Sequence, residues 1–201
     1  MKSVIISIRP KWVEKIASGK KTIEVRKSAP KEVPFKAYIY ETKKEHLRVV
    51  FKKGDYIFSD DHNAGKFDEN IFVKDRYSWQ GKVVGEFICD KVYNLVNAFG
   101  GIMFADENLN QLEPQLFRDM SCLTDKQTAD YLGDKDGYGW HISDLKIYDN
   151  PKPIMQFYKP CPIKIKNCPV CELYSTYTGC CMNNIDRPPQ SYMFVEELKE
   201  V

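Results

Sequence analysis

The chain has 201 residues, 43% hydrophobic and 13% aromatic, enough to bury a substantial core and to exclude bulk disorder. No apolar run reaches the 18 residues of a membrane-crossing helix, and charge enters the N-terminus too early for a secretion signal, so a cytoplasmic protein with no membrane partner is expected. The net charge of +2 is unevenly spread, with 15 basic and 7 acidic side chains in residues 1–60 and 15 and 21 in the rest. That asymmetry gives either one basic face able to meet a polyanion or a surplus scattered over solvated surface.

Val4–Ile8 is a β-branched run that reads as a strand. Pro10 then suits a first helical turn, Trp12, Val13, Ile16 and Ala17 recur at helical spacing, and Gly19 is placed to end the helix in a left-handed conformation. Thr22, Glu24 and Arg26 alternate with Ile23 and Val25, the pattern of a half-buried strand with one polar face. Ala37–Thr42 and Gly81–Val92 are further strands, separated in part by a polar surface excursion over Ser59–Gln80. Leu95–Met120 lacks a clear period and predicts no element. Thr124 and Gln127 form a capping box that opens a short helix to Leu132, closed by Gly133. Gly137-Tyr138-Gly139-Trp140 leads into a strand over His141–Tyr148, prolines break the chain from 151 to 169, and Ser191–Leu198 reads as a closing strand. Many strands, few helices and long-range connections predict an α+β fold, a small mixed β-barrel with flanking helices.

The densest chemistry lies in Gly19–Arg26. A glycine turn projects Lys20 and Lys21 at the helix end, while Thr22, Glu24 and Arg26 share a strand face about 7 Å apart. Lysine can clamp a phosphate or, if desolvated, accept a proton; Arg26 can grip a phosphate or a base edge; Glu24 can orient Lys21 or accept from an exocyclic amine. The same residues also suit an ordinary salt-bridged strand face. Glu86 shares a face with Val84 and Ile88 and reads either as a salt bridge at the barrel end or as a cleft carboxylate facing Lys21. Among the aromatics near these segments, Trp12 and Trp140 are the candidates for base stacking. Ser191, at the mouth of the closing strand, is a candidate to line the same cleft. His46, His62 after Asp60-Asp61, and His141 near Ser143 are too dispersed for a histidine metal site, and the chain has no nucleophile elbow, P-loop or dinucleotide fingerprint.

Of seven cysteines, Cys89 reads as a buried small hydrophobe and Cys122 is isolated. Cys161, Cys168, Cys171, Cys180 and Cys181 fall within 21 residues. Cys168-Pro169-Val170-Cys171 is a knuckle, and with Cys180-Cys181 it suits a structural zinc bound by four sulfurs. Cys161 supplies the fourth ligand, or both members of the adjacent pair are used. A redox pair and unligated thiols are the rivals.

The run Ser7-Ile8-Arg9-Pro10-Lys11-Trp12, followed by Gly19-Lys20-Lys21-Thr22-Ile23-Glu24-Val25-Arg26, resembles the N-terminal signature of the ASCH domain family, in the PUA-like superfamily. Lys82–Phe87 and Gly139–Ile142 resemble its later strands, and the whole is similar to the longer ASCH proteins of phages and their bacterial hosts, which carry a cysteine-rich segment before Arg187-Pro188-Pro189-Gln190-Ser191. The resemblance implies a PUA-like barrel at 1–150, a cysteine-rich, zinc-stapled insertion at 151–190 and a closing strand at 191–201. It further implies a cleft beside the glycine turn, with single-stranded RNA or a modified nucleotide as ligand and no organic cofactor. Arg9, Lys11, Trp12, Lys20, Thr22, Arg26, Trp140 and Ser191 are the expected binding residues. Family members bind RNA, cleave it or hydrolyse the amide of acetylated cytidine. The alternative is therefore a metal-independent ribonuclease or nucleotide amide hydrolase, with Lys21, Glu24 and Glu86 as catalytic candidates. Lys21 matches the amidohydrolases, but Glu24 stands where they carry a nucleophilic threonine, and Thr22 is two residues off.

Overall fold

Strands, the first three of them buried on both faces, build most of the molecule, which is described, as a computed structural model, over residues 1–43, 48–52, 55–59, 71–73, 79–98, 101–160 and 184–198. The first elements are β1 (Lys2–Ile8), α1 (Pro10–Ala17), β2 (Ile23–Arg26) and β3 (Phe35–Glu41). Next come β4 (Arg48–Lys52), β5 (Asp55–Ser59), β6 (Ile71–Val73), β7 (Lys82–Cys89), β8 (Val92–Ala98) and β9 (Gly101–Ala105). The chain continues through α2 (Pro114–Ser121), α3 (Asp125–Leu132), β10 (Gly137–His141), β11 (Ser143–Pro153) and β12 (Tyr192–Val195).

A five-stranded sheet runs β11-β7-β3-β1-β12 and a four-stranded sheet β2-β10-β8-β9, with a small third sheet β5-β4-β6. The result is a mixed α+β fold, its two main sheets facing one core; among the described strands, the expected barrel is not a single closed ring of pairings. Two long ribbons join the sheets: β7 continues into β8 and β10 into β11, paired antiparallel on both sides of the crossing. At that corner the His141 amide donates to the Lys91 carbonyl at 2.9 Å, His141 Nδ1 meets Asp90 Oδ1 at 2.7 Å, and the Ser143 hydroxyl donates to the Ile88 carbonyl at 2.9 Å. The expected strands Gly81–Val92 and His141–Tyr148 are therefore each divided by a bend.

Period-two alternation sends side chains to three apolar clusters. Val4, Ile6 and Ile8 of β1 meet Val13 and Ile16 of α1, Phe35 of β3, Phe87 of β7 and Trp140 of β10 between the two sheets. Ile5 and Tyr38 point the other way, under Phe157, Ile185 and Val195. Ile23 and Val25 pack on the outer face of the smaller sheet against Phe117 of α2 and Leu132 of α3. The glycines of Gly137-Tyr138-Gly139-Trp140 make this last packing close: a Cβ at Gly137 would lie 2.5 Å from a Leu132 methyl, and one at Gly139 2.9 Å from an Ile23 methyl.

The Thr124–Gln127 capping box forms as read, with bonds of 3.1 and 3.2 Å. Cys89 is buried, and desolvation pushes its thiol up to about 12. β12 pairs antiparallel with β1, which brings residues 192–195 beside the N-terminal strand. The segment without a predicted element contains most of β8, all of β9 and all of α2 but its last residue. No helix among the described residues is long and apolar enough to cross a membrane.

Candidate functional site

β2 is the edge strand of the smaller sheet, so one end of its inward face is left open between α1 and α3. The opening is a cleft of about 530 Å³. Arg9, Lys11 and Trp12 form one wall, Lys21, Glu24 and Arg26 line it from the turn and β2, and Leu123, Gln127, Asp130 and Tyr131 form the other wall. Ser7 and Gln190 contribute at its margin.

Local structure delivers these side chains. Pro10 occupies the first helical position, with Arg9 as the N-cap residue. After α1, Gly19 takes φ +71°, a conformation that costs glycine little, and the Lys21 amide returns to the Lys15 carbonyl at 2.9 Å. This turn drives Lys21 inward until only 2% of it is exposed. Its Nζ donates to the carbonyl of Ser121, the last residue of α2, at 2.7 Å and lies 3.5 Å from Glu24 Oε2. Burial holds the Lys21 pKa below its ordinary value, with the Glu24 carboxylate opposing.

Glu24 Oε1 takes Arg26 Nη2 at 3.1 Å, so one carboxylate serves two buried cations. Arg26 also donates to the Ser7 carbonyl at 2.8 Å and, at 3.4 Å, to the Ser191 carbonyl, which ties the segment before β12 to the cleft margin. Trp12 is ringed by ammonium groups, with Lys11, Lys15 and Lys21 at 4.7, 5.3 and 5.4 Å from its centroid. Burial raises the Tyr131 phenol, while the Arg26 guanidinium pulls it down. The arrangement offers a positive floor, a flat aromatic surface and one desolvated amine.

Other expected residues fall elsewhere. Trp140 is fully buried, edge-on to Phe35 at 5.0 Å and Tyr192 at 5.2 Å, and in that position cannot stack on a ligand. It pairs with Glu24 across β10 and β2, but one strand in from the edge the same face meets the core. Glu86 does not line the cleft or face Lys21; its carboxylate takes the Tyr148 hydroxyl and lies 3.6 Å from Lys36 Nζ, as the salt-bridge alternative requires. Lys20 is exposed outside the cleft, and its carbonyl receives the Cys122 thiol at 3.2 Å. Thr22 acts through its backbone, bonding Met120 and Ile142. Ser191 presents its carbonyl to Arg26, while the neighbouring Gln190 lines the cleft. His141 is bound to Asp90, and His46 and His62 lie outside the described residues. So do Cys161, Cys168, Cys171, Cys180 and Cys181; among the described residues no group of His, Cys, Asp and Glu is placed to hold a metal ion.

Sequence reasoning missed the second wall. Asp130 and Tyr131 sit on α3, whose capping box was legible, but their approach to β2 comes from the packing of Leu132 on the outer face of the smaller sheet.

Known proteins share this framework. The ASCH domain matches residues 6–96, which include Arg9, Lys21, Glu24 and Arg26. The chain carries an ASCH domain. The crystal structure of ASCH from Zymomonas mobilis superposes with a TM-score of 0.51 at 17% identity, covering 98% of this chain and 89% of that one. A serine-to-alanine mutant of the same Zymomonas protein gives a TM-score of 0.50 at 16% identity with the same coverage. At such identities the likeness concerns the fold, which extends the ASCH resemblance over nearly the whole chain. No curated protein matches the chain in sequence. The wall at 123–131 lies beyond the residues matched by the family.

Proposed function

We propose that this ASCH protein binds single-stranded RNA or a modified nucleotide through the cleft beside Gly19–Arg26. The chief support is the convergence of Lys21, Glu24 and Arg26 beside a wall carrying Trp12, Arg9 and Lys11. Arg9 and Lys11 meet phosphate, and stacking of a base on an aromatic ring contributes about 1–3 kcal/mol. A second reading, hydrolysis of a phosphodiester or of a nucleotide amide, draws on the lowered pKa of Lys21, since a desolvated amine can act as a general base.

The test is a gel assay of labelled single-stranded RNA with wild type and Lys21→Ala, in excess chelator. A salt-sensitive shift that Lys21→Ala weakens supports binding. Cleavage lost in Lys21→Ala replaces it with the hydrolase reading. Neither shift nor cleavage by wild type refutes RNA as the ligand. We also propose a structural zinc on the cysteines of 161–181; stoichiometric zinc in purified protein, absent from a Cys168→Ser, Cys171→Ser double variant, is the expected result, and zinc-free wild type would refute it.

A further inference from the structure

The unpaired charges of the cleft are divided between its walls. Both oxygens of Glu24 are engaged, one by Arg26 and the other by Lys21, and its side chain is only 9% exposed. Buried between two cations, it is less accessible to a ligand's donor than an exposed carboxylate. Asp130, on the α3 wall, is exposed and makes no ion pair or hydrogen bond among the described residues. The other wall carries Arg9 and Lys11, likewise without a carboxylate partner among the described residues. A phosphate is attracted to the α1 wall and repelled from α3. What the α3 wall can take is an N–H donor.

We infer that Asp130 is a specificity-determining residue that accepts a hydrogen bond from an exocyclic amino group of the ligand's base, the phosphate lying toward Arg9 and Lys11. This rests on the nucleotide-binding reading above and names the class of base within it. An amino-for-oxo exchange on the base turns the attraction into an oxygen set against a carboxylate, so discrimination comes from repulsion as well as from the bond. Gln127 is a weaker discriminator, because its Oε1 is tied to the Thr124 amide.

The experiment is calorimetric titration with two pairs of nucleotides, CMP against UMP and AMP against IMP, each pair differing by an amino-for-oxo exchange. Wild type is expected to favour the amino member of each pair about fivefold, the scale of one net hydrogen bond at a solvent-exposed acceptor. Asp130→Ala levels the pairs. Asp130→Asn levels or reverses them, since its amide can donate to an oxo group. Thermal melting confirms that both variants fold, as expected for an exposed helix position. Equal affinities in wild type, or a preference that survives Asp130→Asn, overturn the assignment while leaving nucleotide binding intact. Failure of wild type to bind any of the four nucleotides or single-stranded RNA overturns the assignment together with the reading on which it rests.

Discussion

Two lysine–carboxylate clusters, one at the cleft and one on the far face of the larger sheet, behave in opposite ways. Lys36 lies 2.7 Å from Glu197 and 3.6 Å from Glu86. Burial works against its charge, but the hydrogen bond to Glu197 and the nearby negative groups prevail, and its pKa is raised. Lys21 has only Glu24, shared with Arg26, and there burial prevails. The ratio of charges decides the difference. Two carboxylates for one lysine hold its charge in place and make a tie, joining β3 and β7 to the residues after β12, where the Leu198 amide also donates to the Tyr38 hydroxyl. Two cations for one carboxylate leave a positive floor and an amine whose charge burial disfavours.

Four measurements bear on this contrast. Trp140 lies behind the cleft floor in the shared core, so Trp140→Ala should cost about 3–5 kcal/mol in denaturant unfolding. A loss below about 1 kcal/mol would show that it is not a core residue. Next, Lys21→Ala should weaken RNA binding at least about tenfold while Lys36→Ala leaves it unchanged; equal effects would erase the distinction between the clusters. Lys36→Met should cost about 0.5–1 kcal/mol, discounted for the 42% exposure of Glu197, with no change in ligand affinity.

The smallest effect concerns pH. Because the folded pKa of Lys21 is below its unfolded value, the unfolded chain binds the proton more tightly, and the cost of burying this lysine falls as pH rises from the folded pKa toward 10.5. The stability of wild type relative to Lys21→Met should therefore improve over that window. A flat or falling difference would mean that Lys21 is not destabilised as a cation.

Much of the first half of the fold was legible because local signals agree there. The Val4–Ile8 run, Pro10 and Gly19 mark β1, α1 and the turn, and alternation from Thr22 to Arg26 gives both the strand and its polar face. The same alternation brought Glu24 and Arg26 together correctly. It could not separate Arg26 from Trp140, since both face inward and only sheet order tells the open edge from the core. Glu86 was ambiguous for a related reason: its partners, Lys36 and Tyr148, lie on neighbouring strands whose pairing is long-range. Within Leu95–Met120, β9 and α2 are short, and their order follows from packing of Phe104 and Phe117 on β2 rather than from local periodicity.

The most direct test of the central claim is to map chemical-shift changes in the labelled protein on titration with a short single-stranded RNA. Perturbations should concentrate at Arg9, Trp12, Lys21, Arg26 and Tyr131 and spare Lys36, Glu86 and Tyr148. Changes centred on the Lys36 cluster, or none at all, would contradict the assignment of the cleft as the binding site.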